Sequence, residues 1–146
     1  MSGSVFQGTS ALALDGKGRL TVPVRHRDVL VAIADGKLTL TKHPEGCLLV
    51  FPRPTWESFR ERLLGLPMSA DGWRRVFLGS AMDVDIDGSS RVLVSPELRA
   101  AAGLGKDVLL MGMGHRLELW DVQHYAEHEA RVMAAGLPDA LKDVVI

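Results

Sequence analysis

Apolar and polar positions alternate in short bursts along this chain, and each burst gives way to helical spacing. Residues 11–14 alternate weakly and predict a strand. Asp15-Gly16-Lys17-Gly18 is dense in turn residues, and residues 19–22 alternate again with Leu20 and Val22 inward. The pair reads as a tight hairpin with Lys17 and Arg19 at its tip. Pro23 presets a helix in which Val29, Leu30 and Ile33 share a face and Gly36 is the stop. Residues 37–42 and 47–51 read as strands around a His43-Pro44-Glu45-Gly46 turn. Pro52 and Pro54 then open a helix with Trp56, Phe59 and Leu63 on one face.

The same order returns in the second half. Val84 and Ile86 alternate with Asp85 and Asp87. Ser95 stands at an N-cap with Pro96 at the first helical position, and Gly103 closes that helix. Residues 108–111 and 117–120 are strands around 112–115, and Asp121 caps a last helix over 122–134. Laid over one another, residues 8–67 and 80–138 match. Asp15 and Arg19 fall on Asp87 and Arg91, both in the pattern Asp-x-x-x-Arg. Gly16 falls on Gly88, Phe51 on Trp120, and Gly65-Leu66-Pro67 on Gly136-Leu137-Pro138. Two copies predict a pseudo-twofold α+β protein with small sheets, its halves too small to be stable apart and sharing one core. The division expected is a disordered lead or cloning remnant over 1–5, a first repeat over 6–67, a bridge over 68–79 with a short helix around 73–77, and a second repeat over 80–146.

Composition adds little until it is read locally. The chain has 146 residues, 47% hydrophobic, with a net charge of −1, which is ordinary for a soluble domain. Neither a secretory leader nor an apolar run of membrane-spanning length is visible. Cys47 is the sole cysteine and predicts a reduced, cytosolic setting. Residues 1–72 carry nine Lys/Arg against seven Asp/Glu, and residues 73–146 eight against eleven. Residues 16–27 hold Lys17, Arg19, Arg25 and Arg27 with no acid, a basic segment on a near-neutral body.

Most candidate chemistry falls away on inspection. Asp83-x-Asp85-x-Asp87-Gly88 begins like a calcium loop but has Arg91 and Val94 where ligands belong. His124 and His128 are four apart on a helix without further ligands and read as solvated surface histidines. Cys47 has no base near it in sequence and reads as an inert core thiol. Gly112-Met113-Gly114 is a fragment of a phosphate loop lacking its helix. Trp56, Phe59, Trp73, Phe77, Trp120 and Tyr125 read as core and interface anchors. No residue nominates an enzyme, a cofactor or a small-molecule site. The Asp-x-x-x-Arg turns admit two accounts. Each is a local ion pair closing a hairpin, or the first projects Lys17 and Arg19 toward phosphates and guanine edges, with Thr21 and an Arg25-His26-Arg27 turn adding backbone contacts.

At these residues the chain resembles the MraZ family of bacterial transcription regulators. The likeness rests on Phe6-Gln7-Gly8, on residues 14–23 (Leu-Asp-Gly-Lys-Gly-Arg-Leu-Thr-Val-Pro) with Arg25 and Arg27, and on Cys47-Leu48-Leu49-Val50-Phe51-Pro52. It continues through Arg74-Arg75, Phe77-Leu78-Gly79, Asp87-Gly88-x-x-Arg91-Val92 and Glu118-Leu119-Trp120-Asp121. The resemblance implies an AbrB-like double-split (swapped-hairpin) β-barrel with peripheral helices. It also implies closed rings of subunits and binding of double-stranded DNA at short guanine-rich direct repeats upstream of the division and cell-wall cluster. The setting it implies is cytoplasmic and nucleoid-associated, with no membrane, metal, cofactor or small molecule. It assigns DNA contact to Lys17, Arg19, Thr21, Arg25 and Arg27, and turn structure to Asp15, Gly16, Gly18, Asp87, Gly88 and Arg91. Ser89-Ser90 stands where the first motif has Lys17-Gly18, so Arg91 is assigned mainly to structure. A protein-interaction, antitoxin-like module on the same barrel is the alternative.

Overall fold

Proline and small polar residues set the element boundaries. Pro23 and Pro52 stand immediately before the first two long helices with φ of −57° and −56°. Ser95 caps the fourth helix by accepting the Leu98 N–H, and Asp121 caps the fifth by accepting those of Gln123 and His124. The computed structural model describes residues 5–144, so residues 1–4 of the expected lead and the last two of the second repeat lie outside it. The elements are β1 (Thr9–Ala13), β2 (Arg19–Thr21), α1 (Val24–Ala34), β3 (Lys37–Lys42), β4 (Leu48–Pro52), α2 (Arg53–Leu64), α3 (Asp71–Gly79), β5 (Met82–Asp85), β6 (Arg91–Leu93), α4 (Pro96–Ala101), β7 (Asp107–Gly112), β8 (Leu117–Asp121) and α5 (Val122–Ala135). Short 3-10 turns cover Met68–Ala70 and Asp139–Leu141.

The fold is α+β with antiparallel sheets, and its halves interleave. One sheet runs β1-β7-β8-β4-β3-β5, and a separate ribbon pairs β2 with β6. That order reads the same from either end when the halves are exchanged. The first strand of each half pairs with the third strand of the other, and β4 pairs with its counterpart β8 across the centre. The expected hairpin is therefore corrected. Residues 15–18 do turn tightly, but β1 leaves for β7 and β2 for β6, because each strand finds its apolar partner in the other repeat.

One core serves both halves. Leu20, Leu30, Leu38 and Leu48 from the first pack in one cluster with Val92, Leu98, Val108 and Leu119 from the second. The inward face of α1 is His26, Leu30 and Ala34; Val29 is half-buried and Ile33 is exposed, which corrects the face expected from spacing. The other side of β4 carries a smaller cluster of Leu49, Phe51 and Trp56, closed over by Phe59 and Phe77.

Candidate nucleic-acid interface

Asp15 builds the first turn. Its Oδ1 accepts the backbone N–H of Lys17 at 2.9 Å and of Arg19 at 2.8 Å, and its Oδ2 accepts Arg19 Nε at 2.7 Å. Those bonds, led by the Arg19 N–H, hold the carboxyl down at about 2. Asp87 repeats the arrangement, accepting Ser89 N–H at 2.8 Å and Arg91 N–H at 2.9 Å, with Arg91 Nε at 3.4 Å. Its carboxyl is also lowered, first by the Arg91 N–H. The left-handed position is Gly18 (φ 82°) in one turn and Ser90 (φ 63°) in the other. Gly16 and Gly88 adopt no such φ and face open space, so the turn chemistry expected of them rests on Gly18 and Ser90 instead.

The β2–β6 register puts both arginines on one face. Arg19 lies opposite Leu93 and Thr21 opposite Arg91, with Leu20 opposite Val92 between them. Side chains alternate along a strand, and Leu20 and Val92 are buried. Arg19, Thr21, Arg91 and Leu93 therefore form the outer face of the ribbon. Arg19 and Arg91 are diagonal neighbours, a relation that places Cα atoms about 7–8 Å apart.

Each turn is backed by an arginine from the other repeat. Arg99 of α4 donates through Nε to the Val94 carbonyl at 3.0 Å and lies against Gly18, where a Cβ would stand 2.6 Å from its Nε. Arg27 of α1 donates to Ser90 Oγ at 2.9 Å and also meets Asp28. Arg27 thus reaches the second turn rather than the first. Arg25 donates to Ser10 Oγ on β1 at 2.9 Å and stacks over Gly8. The segment expected as an Arg25-His26-Arg27 turn is the first turn of α1, with His26 buried against Phe6. Burial, then the charge of Arg25, lowers the His26 pKa. Arg99 escaped the sequence reading, although the spacing of 72 that carries Asp15 onto Asp87 also carries Arg27 onto Arg99.

Comparison with known proteins agrees with this doubled design. The family model described as "MraZ protein, putative antitoxin-like" matches twice, over residues 5–76 and 77–144. The chain belongs to the MraZ family. A protein of Methylibium petroleiphilum named Transcriptional regulator MraZ is 70% identical over 98% of both chains. Proteins of the same name from Leptothrix cholodnii and Paraburkholderia phytofirmans are 67% and 61% identical, over 94% and 95% of this chain and 94% and 98% of theirs. Each family match carries one Asp-x-x-x-Arg turn, and no helix among the described residues is long and apolar enough to cross a membrane.

Elsewhere this MraZ-family chain brings Glu118 to the turn that joins His43 and Cys47. Ligand atoms of His43, Cys47 and Glu118 lie within 4.8 Å of one another, which corrects the expectation that Cys47 has no base beside it. Its thiol is pushed up by burial and then by the Glu118 charge, so it stays protonated and inert. Burial also pushes Glu118 upward, but bonds from His43, Trp120 and Arg116 outweigh it and hold the carboxyl at about 2. His43 Nδ1 accepts the Glu45 N–H at 2.9 Å, leaving Nε2 to carry its proton toward Glu118 at 3.3 Å. Arg116 and Trp120 donate to the same carboxylate at 3.1 and 3.0 Å. These donors converge on the Glu118 carboxylate as a structural network. His124 and His128 do not act together: His124 lies against Gly103, whereas His128 stacks on Trp120 at 4.8 Å and pairs with Glu45 at 2.8 Å. His128 is therefore packed, not the solvated residue its sequence suggested.

Proposed function

We propose that this chain is a sequence-specific transcription regulator that reads double-stranded DNA with the outer face of the β2–β6 ribbon. The observation that carries the reading is the pair of arginines on that face, each fixed by its own carboxylate. Arg19 spends only Nε on Asp15, and its terminal nitrogens have no partner among the described residues. A guanidinium presented this way suits guanine O6 and N7, and a two-stranded ribbon fits a major groove about 12 Å wide. Lys17 extends the first turn toward the phosphates, and Thr21 stands beside Arg91 on the same face.

The finer features follow from the family resemblance. The interleaved halves form an AbrB-like double-split barrel, and subunits close into rings. Their repeated turns engage short guanine-rich direct repeats upstream of division and cell-wall genes, in a cytoplasmic, nucleoid-associated setting. Physical economy supports the ring. A turn with two or three cations binds weakly at physiological salt, and several on one rigid frame raise the effective concentration of each for the next repeat. The relatives' name, Transcriptional regulator MraZ, supports regulation of transcription as the output.

The test is a mobility-shift titration on guanine-rich repeat DNA at two salt concentrations. Binding is expected to weaken steeply with salt and to fall about 10- to 100-fold in Arg19→Ala with the oligomer intact; unchanged affinity in that variant rejects the reading. The antitoxin-like wording of the family description favours one other reading, a protein-interaction module. It would show as partner binding insensitive to salt.

A further inference from the structure

A recess of about 390 Å3 opens on the outer side of β4, away from the core that the two halves share. Leu49 and Phe51 line its base. They alternate along the strand with Leu48 and Val50, which belong to the shared core. Phe59 of α2 and Phe77 of α3 form an aromatic wall. Phe59 stacks on Phe51 and meets Phe77 edge to face, with ring centroids 5.2 Å apart in both pairs. The wall is already fixed in the free chain. Thr41 Oγ1 donates to the Phe77 carbonyl at 2.6 Å, and Arg74 ties α3 to the end of α2 by donating to the carbonyls of Leu63, Leu66 and Pro67.

The titratable side chains on this lining are His43, Arg62, His115 and Arg116, and no carboxylate joins them. The neighbouring groove along α5, of about 330 Å3, is different: Glu45, Glu118 and Glu129 line it. His43 has both ring nitrogens engaged, by the Glu45 N–H and by Glu118. The donors left are therefore His115 and the two arginines. Arg62 meets no carboxylate among the described residues, and its guanidinium carbon stands 6.0 Å from the Phe59 ring centroid. Arg116 is steadied by one terminal nitrogen, which donates to Glu118 at 3.1 Å. Its Nε is buried without a partner, and its other terminal nitrogen makes no bond among the described residues. Glu118 is 5% exposed and does not line the recess.

We infer that this recess is a binding site for a small aromatic carboxylate, its ring against Phe51, Phe59 and Phe77 and its carboxylate toward Arg62 and Arg116. Size, wall and charge each select part of that ligand. A concave site of about 300–1,000 Å3 with an apolar lining and a few polar groups suits a small molecule. Phenylalanine rings in stacked and edge-to-face order favour a flat ring. Guanidinium groups with free terminal nitrogens bind a carboxylate through charge-assisted hydrogen bonds. A bare inorganic anion leaves the aromatic wall unused, and a neutral ring leaves the arginines without a partner. The walls come from separate stretches between residues 43 and 116, so a sequence scan offers no small-molecule site. None of the lining residues belongs to the β2–β6 ribbon, and the site stands whether or not that ribbon reads DNA.

The experiment is calorimetric titration of the full-length chain with phenylacetate, with its neutral isostere phenylacetamide, and with inorganic phosphate. Phenylacetate is expected to bind saturably at one site per chain, and each of the other two about 10-fold more weakly or less. Arg62→Gln and Arg116→Gln are each expected to weaken phenylacetate about 10-fold, while Arg75→Gln, an exposed change on α3 outside the lining, leaves it unchanged. Circular dichroism and melting establish that the variants are folded. Arg62 is exposed and holds no partner in place, so Arg62→Gln carries the test if Arg116→Gln disturbs the Glu118 network. Absence of saturable phenylacetate binding overturns the site. So does phenylacetamide or phosphate binding as tightly as phenylacetate, or a folded Arg62→Gln protein with wild-type affinity.

Discussion

The two Asp-x-x-x-Arg turns share a backbone and differ in what they present. Both are closed by the same four bonds from and to an aspartate, and both are backed by an arginine from the other repeat. The first adds Lys17 and has glycine at its left-handed position; the second has Ser89 and bears Ser90 there. Since Ser89-Ser90 makes the same turn, Lys17-Gly18 is not what shapes it. The lysine is surplus to structure, and the glycine makes room for Arg99. One geometry thus carries unequal charge, and the inequality is where recognition by the two turns should diverge.

The largest effect expected is in DNA binding. Arg19→Ala should lower operator affinity about 10- to 100-fold, the cost of losing a bidentate base contact. Arg91→Ala should cost less, because Lys17 has no counterpart beside it. Equal losses would show that the ribbon reads DNA as a symmetric pair. Lys17→Ser gives the first tip the charge of the second. It should weaken binding about equally across sequences and reduce the slope of log affinity against log salt by about one. Stability comes next. Ser90→Gly relieves a left-handed residue that costs about 1–2 kcal/mol but removes the Oγ that accepts from Arg27, a loss of about 1 kcal/mol, so the urea midpoint should move little. Gly18→Ser should lower the midpoint by more than Ser90→Gly moves it, because it both strains a left-handed position and displaces Arg99.

The smallest effect is in titration. Asp15 is held at about 2 against an ordinary 3.8. Its folded pKa is depressed, so its contribution is complete above the unfolded value and fades as pH falls from there toward 2. Carboxyl-carbon NMR should find Asp15 titrating below Asp87, as Nε distances of 2.7 and 3.4 Å require. The reverse order would remove the distinction between the turns.

Local signals made much of this fold legible. The repeat, the proline-led helices, and the Ser95 and Asp121 caps all sit within a few residues of what they control. Strand partners were not legible. Nothing near residues 9–13 says that β1 belongs beside β7 rather than β2, because that choice is settled by core packing about 100 residues away. The α1 face was misjudged for a related reason: His26 is buried by Phe6 from outside the helix, a contact no helical periodicity reports. At the candidate site, Arg19 and its aspartate were visible, but the shared face with Arg91 depends on register. Arg99 had a signal in the repeat spacing, and His43 stood across a legible turn from Cys47, whereas Glu118 had no signal.

The mirrored strand order has a consequence for how this molecule comes into being. A nascent chain that has emerged only as far as residue 79 holds β3 without β5, β1 without β7 and β4 without β8. It must wait, with open edges, until its second half leaves the ribosome. Two separate polypeptides cut in the short stretch between α3 and β5 would face the same requirement and should find each other, restoring from two pieces what one gene now encodes as a single thread.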